Sequence, residues 1–309
     1  MPGYVHKPVM LREVVAALRP TSGGRYVDAT LGGAGHAAAI LDASSPKGWL
    51  YGCDRDGDAI EAARERLAQF AGRFELRQAN YAELAGWVPE ASCDGVVMDL
   101  GVSSPQLDLG TRGFSFQQEG PLDMRMDRRQ DLTAAELVNQ AEAEDLARIF
   151  WEFGGERDSR RLARAIVKER EQRRFATTRQ LAEFIERIAP RRGKKSHPAT
   201  RVFQGLRIAV NDEIEGLRQG LAGALGVLRP GGRLAVITFH SLEDRVVKDF
   251  GRMHARDYTI VGAVDVPELR QPKAPLLKWV TRKATTPTAS ELDENPRSRS
   301  AQLRVMEKI

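Results

Sequence analysis

The stretch RYVDATLGGAGHAAAILDAS (25–44) carries the fold in miniature. A short run of aromatic and β-branched residues closes on Asp28, a glycine-rich turn follows, and an alanine-rich helical run begins. The same change of period recurs downstream: WLYGCD (49–54) precedes DAIEAARERLAQF (58–70), FELRQA (74–79) precedes YAELAGWV (81–88), and CDGVVMDL (93–100) makes a fourth strand. Strands separated by helices are joined by crossovers rather than hairpins, so a parallel sheet is predicted. Beyond Leu100 the alternation stops, and helical periodicity with Arg-rich faces takes over. This predicts an inserted, mostly helical domain over 107–207, with the sheet-forming domain divided into 1–106 and 208–309. The alternation resumes with a helix over 208–228, the turn RPGG (229–232), the strand RLAVITF (233–239) and a helix starting near Leu242. Two late runs, PLLKWVTRK (275–283) and SAQLRVMEK (300–308), show no helical pattern between them and are expected to pair antiparallel.

A parallel sheet that ends in an antiparallel hairpin is the α/β layout of class I, Rossmann-like methyltransferases; a dinucleotide dehydrogenase normally continues as a second βαβαβ half. Composition agrees with an ordinary globular chain: of 309 residues, 42% are hydrophobic and 29% charged, which excludes disordered, collagenous and disulfide-scaffold classes. No apolar run approaches the roughly 20 residues needed to span a bilayer, and MPGYVHKPVM (1–10) lacks an apolar signal region, so a cytoplasmic protein without a membrane partner is expected. Cys53 and Cys93 sit inside strand-like runs and read as buried free thiols, while the five histidines lack metal-ligand spacing, so no metal is expected. The net charge of +5 is uneven. Sixteen Lys and Arg against five Asp and Glu between Arg157 and Arg207 give that segment +11, leaving −6 elsewhere. A basic segment in an otherwise acidic chain suits a polyanion, although a solvated helical face has the same composition.

Three segments carry candidate chemistry. In DATLGGAGH (28–36), at the carboxyl edge of the first strand, Gly32, Gly33 and Gly35 permit tight turns and close ligand approach. The spacing Gly33, Gly35, Ala38 also satisfies the dinucleotide fingerprint, so the motif alone does not choose a cofactor. Asp54, 22 positions after Gly32 at the end of the second strand, has a carboxylate suited to ribose hydroxyls, which leaves NAD and S-adenosylmethionine equally allowed. Tyr81 follows the third strand, where its ring can lie against adenine or simply pack. The fourth strand ends in DLGVSSPQLD (99–108), and here the two cofactors separate. An exocyclic aryl amine is a poor nucleophile, and a turn fixed by Pro105 can aim the carbonyls of Ser103 and Ser104 at its hydrogens. Asp99 can hold the amino-acid part of a cofactor or accept a proton.

These segments, together with HKPVML (6–11), RGFSF (112–116), GPLDMRMD (120–127), HPATRVFQGLRIAVN (197–211), PGGRLAVITFHSLEDR (230–245) and NPRSRSAQLR (295–304), resemble the bacterial small-subunit ribosomal RNA cytosine-N4 methyltransferase family over nearly the whole chain. The resemblance implies S-adenosylmethionine as methyl donor and a cytidine in the decoding region of 16S ribosomal RNA as acceptor. It implies cofactor contacts at Ala34, Gly35, His36, Asp54, Tyr81, Asp99 and Gln106. Two departures stand out: Ala34 where many members have Gly, and Tyr81 where Phe is frequent.

Further candidates are Phe114 and Phe116, whose rings can cover a flipped cytosine or pack under the insert. His240, in FHSLED (239–244), is a base or phosphate contact or else a structural histidine. DMRMD (123–127) can fold over the site or pack the domain junction. Arg297 and Arg299 precede the last strand as phosphate contacts or a solvated loop. The cluster Arg191, Arg192, Lys194 and Lys195 is the expected centre of RNA docking. The rival readings are a NAD-dependent oxidoreductase, which explains neither the SSPQ loop nor the basic insert, and a non-catalytic RNA-binding assembly factor. Oligomeric state is open, a homodimer included, as is the choice between free RNA and an assembled subunit as acceptor.

Overall fold

A computed structural model of the chain describes residues 7–190, 197–262 and 265–309. It divides into two compact units, one formed by Met1–Gly101 with Ile214–Ile309 and the other by Val102–Glu213. The division begins and ends outside the 107 and 207 expected from the sequence, because SSPQLD (103–108) and the end of HPATRVFQGLRIAVN fold with the insert.

The first unit contains a seven-stranded sheet. Its strands are β1 (Arg25–Asp28), β2 (Trp49–Asp54), β3 (Phe74–Gln78), β4 (Cys93–Asp99) and β5 (Leu228–Thr238), with β8 (Leu277–Trp279) and β9 (Gln302–Lys308) after a separate two-stranded ribbon of β6 (Tyr258–Ile260) and β7 (Arg270–Pro272). The order is β3-β2-β1-β4-β5-β9-β8. Pairs among β1 to β5 are parallel, whereas β9 runs antiparallel to both β5 and β8. The late hairpin is therefore present, but a short helix separates its strands where the sequence showed none. ASELDE, only six residues long, carries too little apolar periodicity to announce itself, and it is started by the Thr288 hydroxyl accepting from the Glu291 N–H at 3.2 Å.

Helices α1 (Leu11–Leu18), α2 (Gly35–Ala43) and α3 (Gly57–Leu67) belong to this unit. The start of α3 shows how local chemistry fixes an element: Asp56 Oδ1 accepts from the Asp58 N–H at 3.1 Å, an acid stands in the first turn, and Arg64 and Arg66 stand in the last, all favourable to the helix dipole. Apolar faces of the two sheet surfaces supply separate cores, one around Ile40, Leu50 and Ile237, the other around Met98, Leu221 and Val236.

The insert contains α4 (Ser104–Asp108), α5 (Ala134–Gln140), α6 (Ala143–Glu152), α7 (Ser159–Arg170), α8 (Thr178–Ile188) and α9 (Ala199–Val210). Its own core gathers Leu146, Phe150, Leu162, Leu181 and Leu206. Reciprocal caps start two of the helices: Thr133 with Glu136, and Thr177 with Gln180. The helix expected over 208–228 is broken, since α9 ends at Val210 and α10 (Glu213–Val227) follows. The break is filled by Asn211, whose amide donates to the Met124 and Arg207 carbonyls at 2.7 and 2.9 Å and accepts from the Met126 N–H at 2.8 Å. Met124 and Met126 are buried in the insert's core, so DMRMD is a packing element of that unit. The sheet unit closes with α11 (Ser241–Ala255) and α12 (Ala289–Glu294).

Candidate active site at the switch point of the sheet

Strand order reverses between β1 and β4, and open α/β sheets bind ligands outside the carboxyl ends of the strands at such a point. Three carboxyl side chains meet there. Asp28 ends β1, Asp54 ends β2 and Asp99 ends β4. Asp54 is well satisfied: its Oδ2 accepts from the Gly32 N–H at 2.8 Å and its Oδ1 from the Asp56 N–H at 2.9 Å. Asp28 is 1% exposed; its Oδ1 accepts from the Thr30 N–H at 3.2 Å, while Oδ2 has no hydrogen-bond partner among the described residues. Asp99 likewise has one buried oxygen, Oδ1, without a partner. Its backbone N–H donates to Thr30 Oγ1 at 2.6 Å, which ties the end of β4 to the loop after β1.

Buried carboxylates without cations resist ionisation. Burial pushes the Asp28 carboxyl up to about 7, with the neighbouring Asp54 charge adding to it against hydrogen bonds from Thr30 and Ala37. Burial followed by the charges of Asp28, Glu243 and Glu291 pushes Asp99 well above the usual carboxylate range. Asp54 is raised as well, again first by burial. His36 stands beside them. Its Nε2 donates to the Val9 carbonyl at 2.9 Å, since a carbonyl oxygen can only accept, and its Nδ1 lies 3.8 Å from Asp99 Oδ2.

The loop between β1 and α2 turns differently from the sequence expectation. Left-handed φ values fall at Gly32 (46°) and at Ala34 (54°), not at Gly33 or Gly35. Ala34 is the N-cap of α2, and its left-handed backbone is one that strains any residue with a Cβ atom. Gly35 has another purpose: a Cβ there would stand 2.7 Å from Pro8 Cγ. Tyr81 opens a short 3-10 helix, and its ring lies against Gly220 of α10 in the second core of the sheet unit.

His240 is the N-cap of α11. Its Nδ1 accepts from the Glu243 N–H at 3.4 Å, and its Nε2 lies 3.0 Å from Glu243 Oε1, so both ring nitrogens take part in starting the helix. Glu243 Oε2 completes the cap by accepting from the N–H groups of Phe239 and His240.

In the insert, Ser103 is the N-cap of α4. Its hydroxyl accepts from the Gln106 N–H at 3.5 Å, and the Gln106 side-chain carbonyl accepts from the Ser103 N–H at 3.0 Å. The Ser103 carbonyl accepts from the Leu107 N–H at 3.3 Å and so points along a helix, where a free turn was expected; one lone pair remains. Ser104 and Pro105 form the first turn, where proline's fixed φ suits a helix start. Gln106 is 4% exposed. Phe114 belongs to the insert's core at 7% exposed, so its ring is committed to packing and does not offer a stacking face. Phe116 is half-buried, 4.7 Å from the His197 ring and 4.9 Å from the Phe203 ring. Arg297 and Arg299 are exposed on a 3-10 turn. Arg191, Arg192, Lys194 and Lys195 lie outside the described residues.

Sequence reading missed two participants, Asp28 and Thr30, which it treated only as loop flanks. The available signal was an acidic residue closing an apolar strand immediately before a glycine-rich turn.

A Rossmann-like sheet with an antiparallel end and three carboxyl groups at its switch point defines a methyltransferase of class I architecture. The chain belongs to the MraW methylase family, whose profile matches residues 3–309. A relative from Symbiobacterium thermophilum, named ribosomal RNA small subunit methyltransferase H, is 50% identical over 99% of this chain and 97% of its own length. Another of that name from Geobacter sp. strain M21 is 50% identical with all of both chains covered. A solved rRNA methylase from Streptococcus thermophilus is similar with a TM-score of 0.44 at 11% identity, over 99% of each chain.

Proposed function

We propose that the protein transfers a methyl group from S-adenosylmethionine to the exocyclic N4 of a cytidine in the decoding region of 16S ribosomal RNA, within the small ribosomal subunit in the cytoplasm. One observation carries this reading: at the switch point Asp28 is buried and Asp99 half-buried, each with a buried oxygen that no described residue satisfies. Buried charge of one sign needs a partner of the other. S-adenosylmethionine brings a sulfonium and an ammonium, which fit that edge. A dinucleotide would bring its anionic pyrophosphate to the same turn, beside three carboxyl groups, and would be repelled.

When bound, the cofactor supplies an electrophilic methyl group on a positive sulfur. Asp99 and Asp28 hold its cationic amino-acid end, with His36 fixing the position of Asp99. The Asp54 oxygens each retain a lone pair for the ribose hydroxyls, and Tyr81 offers a ring to adenine. The backbone at Ala34 and Gly35 lines the turn, and the family resemblance implies a further contact at Gln106. For the acceptor, the Ser103–Pro105 turn receives the amine's hydrogens, which favours the nitrogen rehybridising as it attacks. Direct in-line displacement follows, with most of the acceleration coming from orientation, an effect worth about 7 to 11 kcal/mol in favourable intramolecular systems. Phe116 is the remaining base contact in this reading, while His240 serves in the cap of α11. Arg297 and Arg299 contact phosphates.

The insert supplies the RNA surface. Arg157, just before α7, and the exposed Arg160, Arg161 and Arg164 on that helix line a groove of about 970 Å3 with the exposed Trp151 of α6, alongside the acids Glu144, Glu152 and Asp158. Cations beside a flat indole suit phosphates next to an unpaired base. Arg191, Arg192, Lys194 and Lys195 extend that charge in the sequence.

The test is product chemistry. After incubation of small subunits with labelled donor, nuclease digestion and mass spectrometry are expected to find N4-methylcytidine in 16S RNA. Recovery of 5-methylcytidine would overturn the reading, since carbon methylation generally calls for a cysteine nucleophile and both Cys53 and Cys93 are buried, with their thiols pushed up by burial. RNA affinity without turnover would establish the assembly-factor alternative instead.

A further inference from the structure

The sheet unit has a second charged feature, at the end of the sheet away from β3. Lys248 and Arg252, one turn apart on α11, face Arg304 on β9 and the segment that follows β8, which carries Arg282 and Lys283. Together with Trp279 these side chains line a pocket of about 450 Å3. Gln302 and Arg304 alternate on one face of β9, so the strand itself aims two polar groups into it.

The charges in this pocket are unequally compensated. Asp244 is shared: its Oδ1 accepts from Arg304 Nε at 2.6 Å, and its Oδ2 lies 3.2 Å from Lys248 Nζ. Arg252 lies 3.8 Å from Asp249, with both side chains largely in solvent. Arg282 and Lys283 are exposed and have no ion pair among the described residues. The folded chain thus sets two adjacent, uncompensated cations beside others that already have carboxylate partners.

Position gives the pocket its meaning. Gln302 pairs with Thr238 and Asp99 pairs with Ile237, so the start of β9 stands at the same edge of the sheet as the switch point. In the strand order β9 is two places and β8 three places from β4. At about 4.8 Å per strand the pocket stands roughly 10 to 15 Å along that edge from Asp99. A single-stranded polynucleotide covers such a distance in a few nucleotides.

We propose that this pocket binds a backbone phosphate of the acceptor RNA a few nucleotides from the target cytidine, with Arg282 and Lys283 making the contact and Trp279 forming the apolar wall against the adjoining ribose. The proposal rests on the RNA reading above and adds a phosphate site to it. It places RNA contact on the sheet unit itself, apart from the arginine face of the insert.

Arg282→Gln/Lys283→Gln removes the two uncompensated charges without breaking an ion pair. RNA binding, measured between 50 and 200 mM salt, is expected to lose about 0.7 from the magnitude of its log-log salt slope for each contact, or roughly sevenfold in salt sensitivity over that range for both. S-adenosylmethionine affinity, measured by calorimetry without RNA, stays at the wild-type value. The charge-preserving Arg282→Lys/Lys283→Arg exchange is expected to restore the slope. Wild-type affinity and slope in the double Gln variant would overturn the site, as would inorganic phosphate protecting Arg282 and Lys283 from chemical modification where RNA does not. Failure of the methylation reading is seen separately, as absence of N4-methylcytidine with the unaltered protein.

Discussion

The sheet carries opposite electrostatics at two places along one edge. Where β1 meets β4, carboxyl groups are buried, close together and short of donors. Beside β8 and β9, cations are open to solvent, and most are tied to a carboxylate. The first arrangement destabilises the free protein, because an ionised carboxylate in a dry site is costly and nearby like charges add to the cost. The second costs little, because solvent and salt screen it. A fold retains the first kind only where a ligand compensates it, so the acidic place reads as a cofactor site and the basic one as a surface that meets a polyanion. The two should also respond differently to experiment: the dry site to charge removal and pH, the wet one to salt.

The largest effect is expected from Asp99→Asn. It removes a charge-assisted contact worth about 1.5 to 3 kcal/mol, hence a loss of roughly 10- to 150-fold in S-adenosylmethionine affinity by calorimetry. In the free protein the same change relieves repulsion with Asp28 and Glu243, so its thermal midpoint is expected to rise. Asp54→Ala makes the contrast: affinity falls at least tenfold, but the midpoint falls too, because the Gly32 and Asp56 N–H groups lose their acceptor. If Asp99→Asn lowered stability and left affinity intact, the acidic edge would be structural.

Much of this was legible in the sequence, and the limits have physical reasons. The parallel strands announce themselves because the hydrophobic period changes from 2 to 3.6 at each junction. The strong position of Asp54 follows from its spacing to the glycine turn. Asp28 was passed over because a strand-ending Asp looks the same whether or not both of its oxygens find donors, and donor counts depend on tertiary packing. Phe114 stayed open between stacking and packing for a similar reason: nothing in RGFSF shows that the ring belongs to the insert's core. The basic pocket was invisible because α11, the segment after β8 and β9 meet only when the antiparallel end of the sheet forms.

A smaller effect, and a sharper one, comes from pH. The Asp28 carboxyl is raised to about 7 in the folded protein, from an ordinary aspartate value of about 3.9. Between those values the folded state binds the proton more readily than the unfolded state, so this group's contribution to stability falls as pH rises from about 4 and is fully lost above about 7. Binding of a cationic cofactor favours the ionised form, so affinity should increase over the same upper part of the window. Denaturant titrations of the free protein at pH 5.5 and 8, with calorimetry at both, test the two opposite trends. Asp28→Asn is expected to flatten both, and trends that persist in that variant would assign them to another group, the raised carboxyl of Asp99 first. The basic pocket contributes no such slope, since its arginines do not titrate in this range.

The smallest expected effect is at Ala34, where the dry edge meets the turn that forms it. A Cβ atom in left-handed geometry costs roughly 1 to 2 kcal/mol, and Ala34 has φ 54° and ψ 31°. Ala34→Gly removes that strain but adds about 0.5 to 1 kcal/mol of unfolded-chain entropy and gives up a fully buried methyl group. The terms nearly cancel, leaving an expected stabilisation below about 1 kcal/mol, visible as a small upward shift of the urea midpoint with an unchanged slope. Cofactor affinity should hold or improve slightly if, as proposed, the contact at this turn is made by backbone. A midpoint lowered by more than the equivalent of about 1 kcal/mol would mean that the methyl group's packing in the core around Ile40 outweighs the strain. The alanine would then be a packing residue that the turn tolerates, and the acidic edge would owe its shape to the core beneath it more than to the glycine-rich loop.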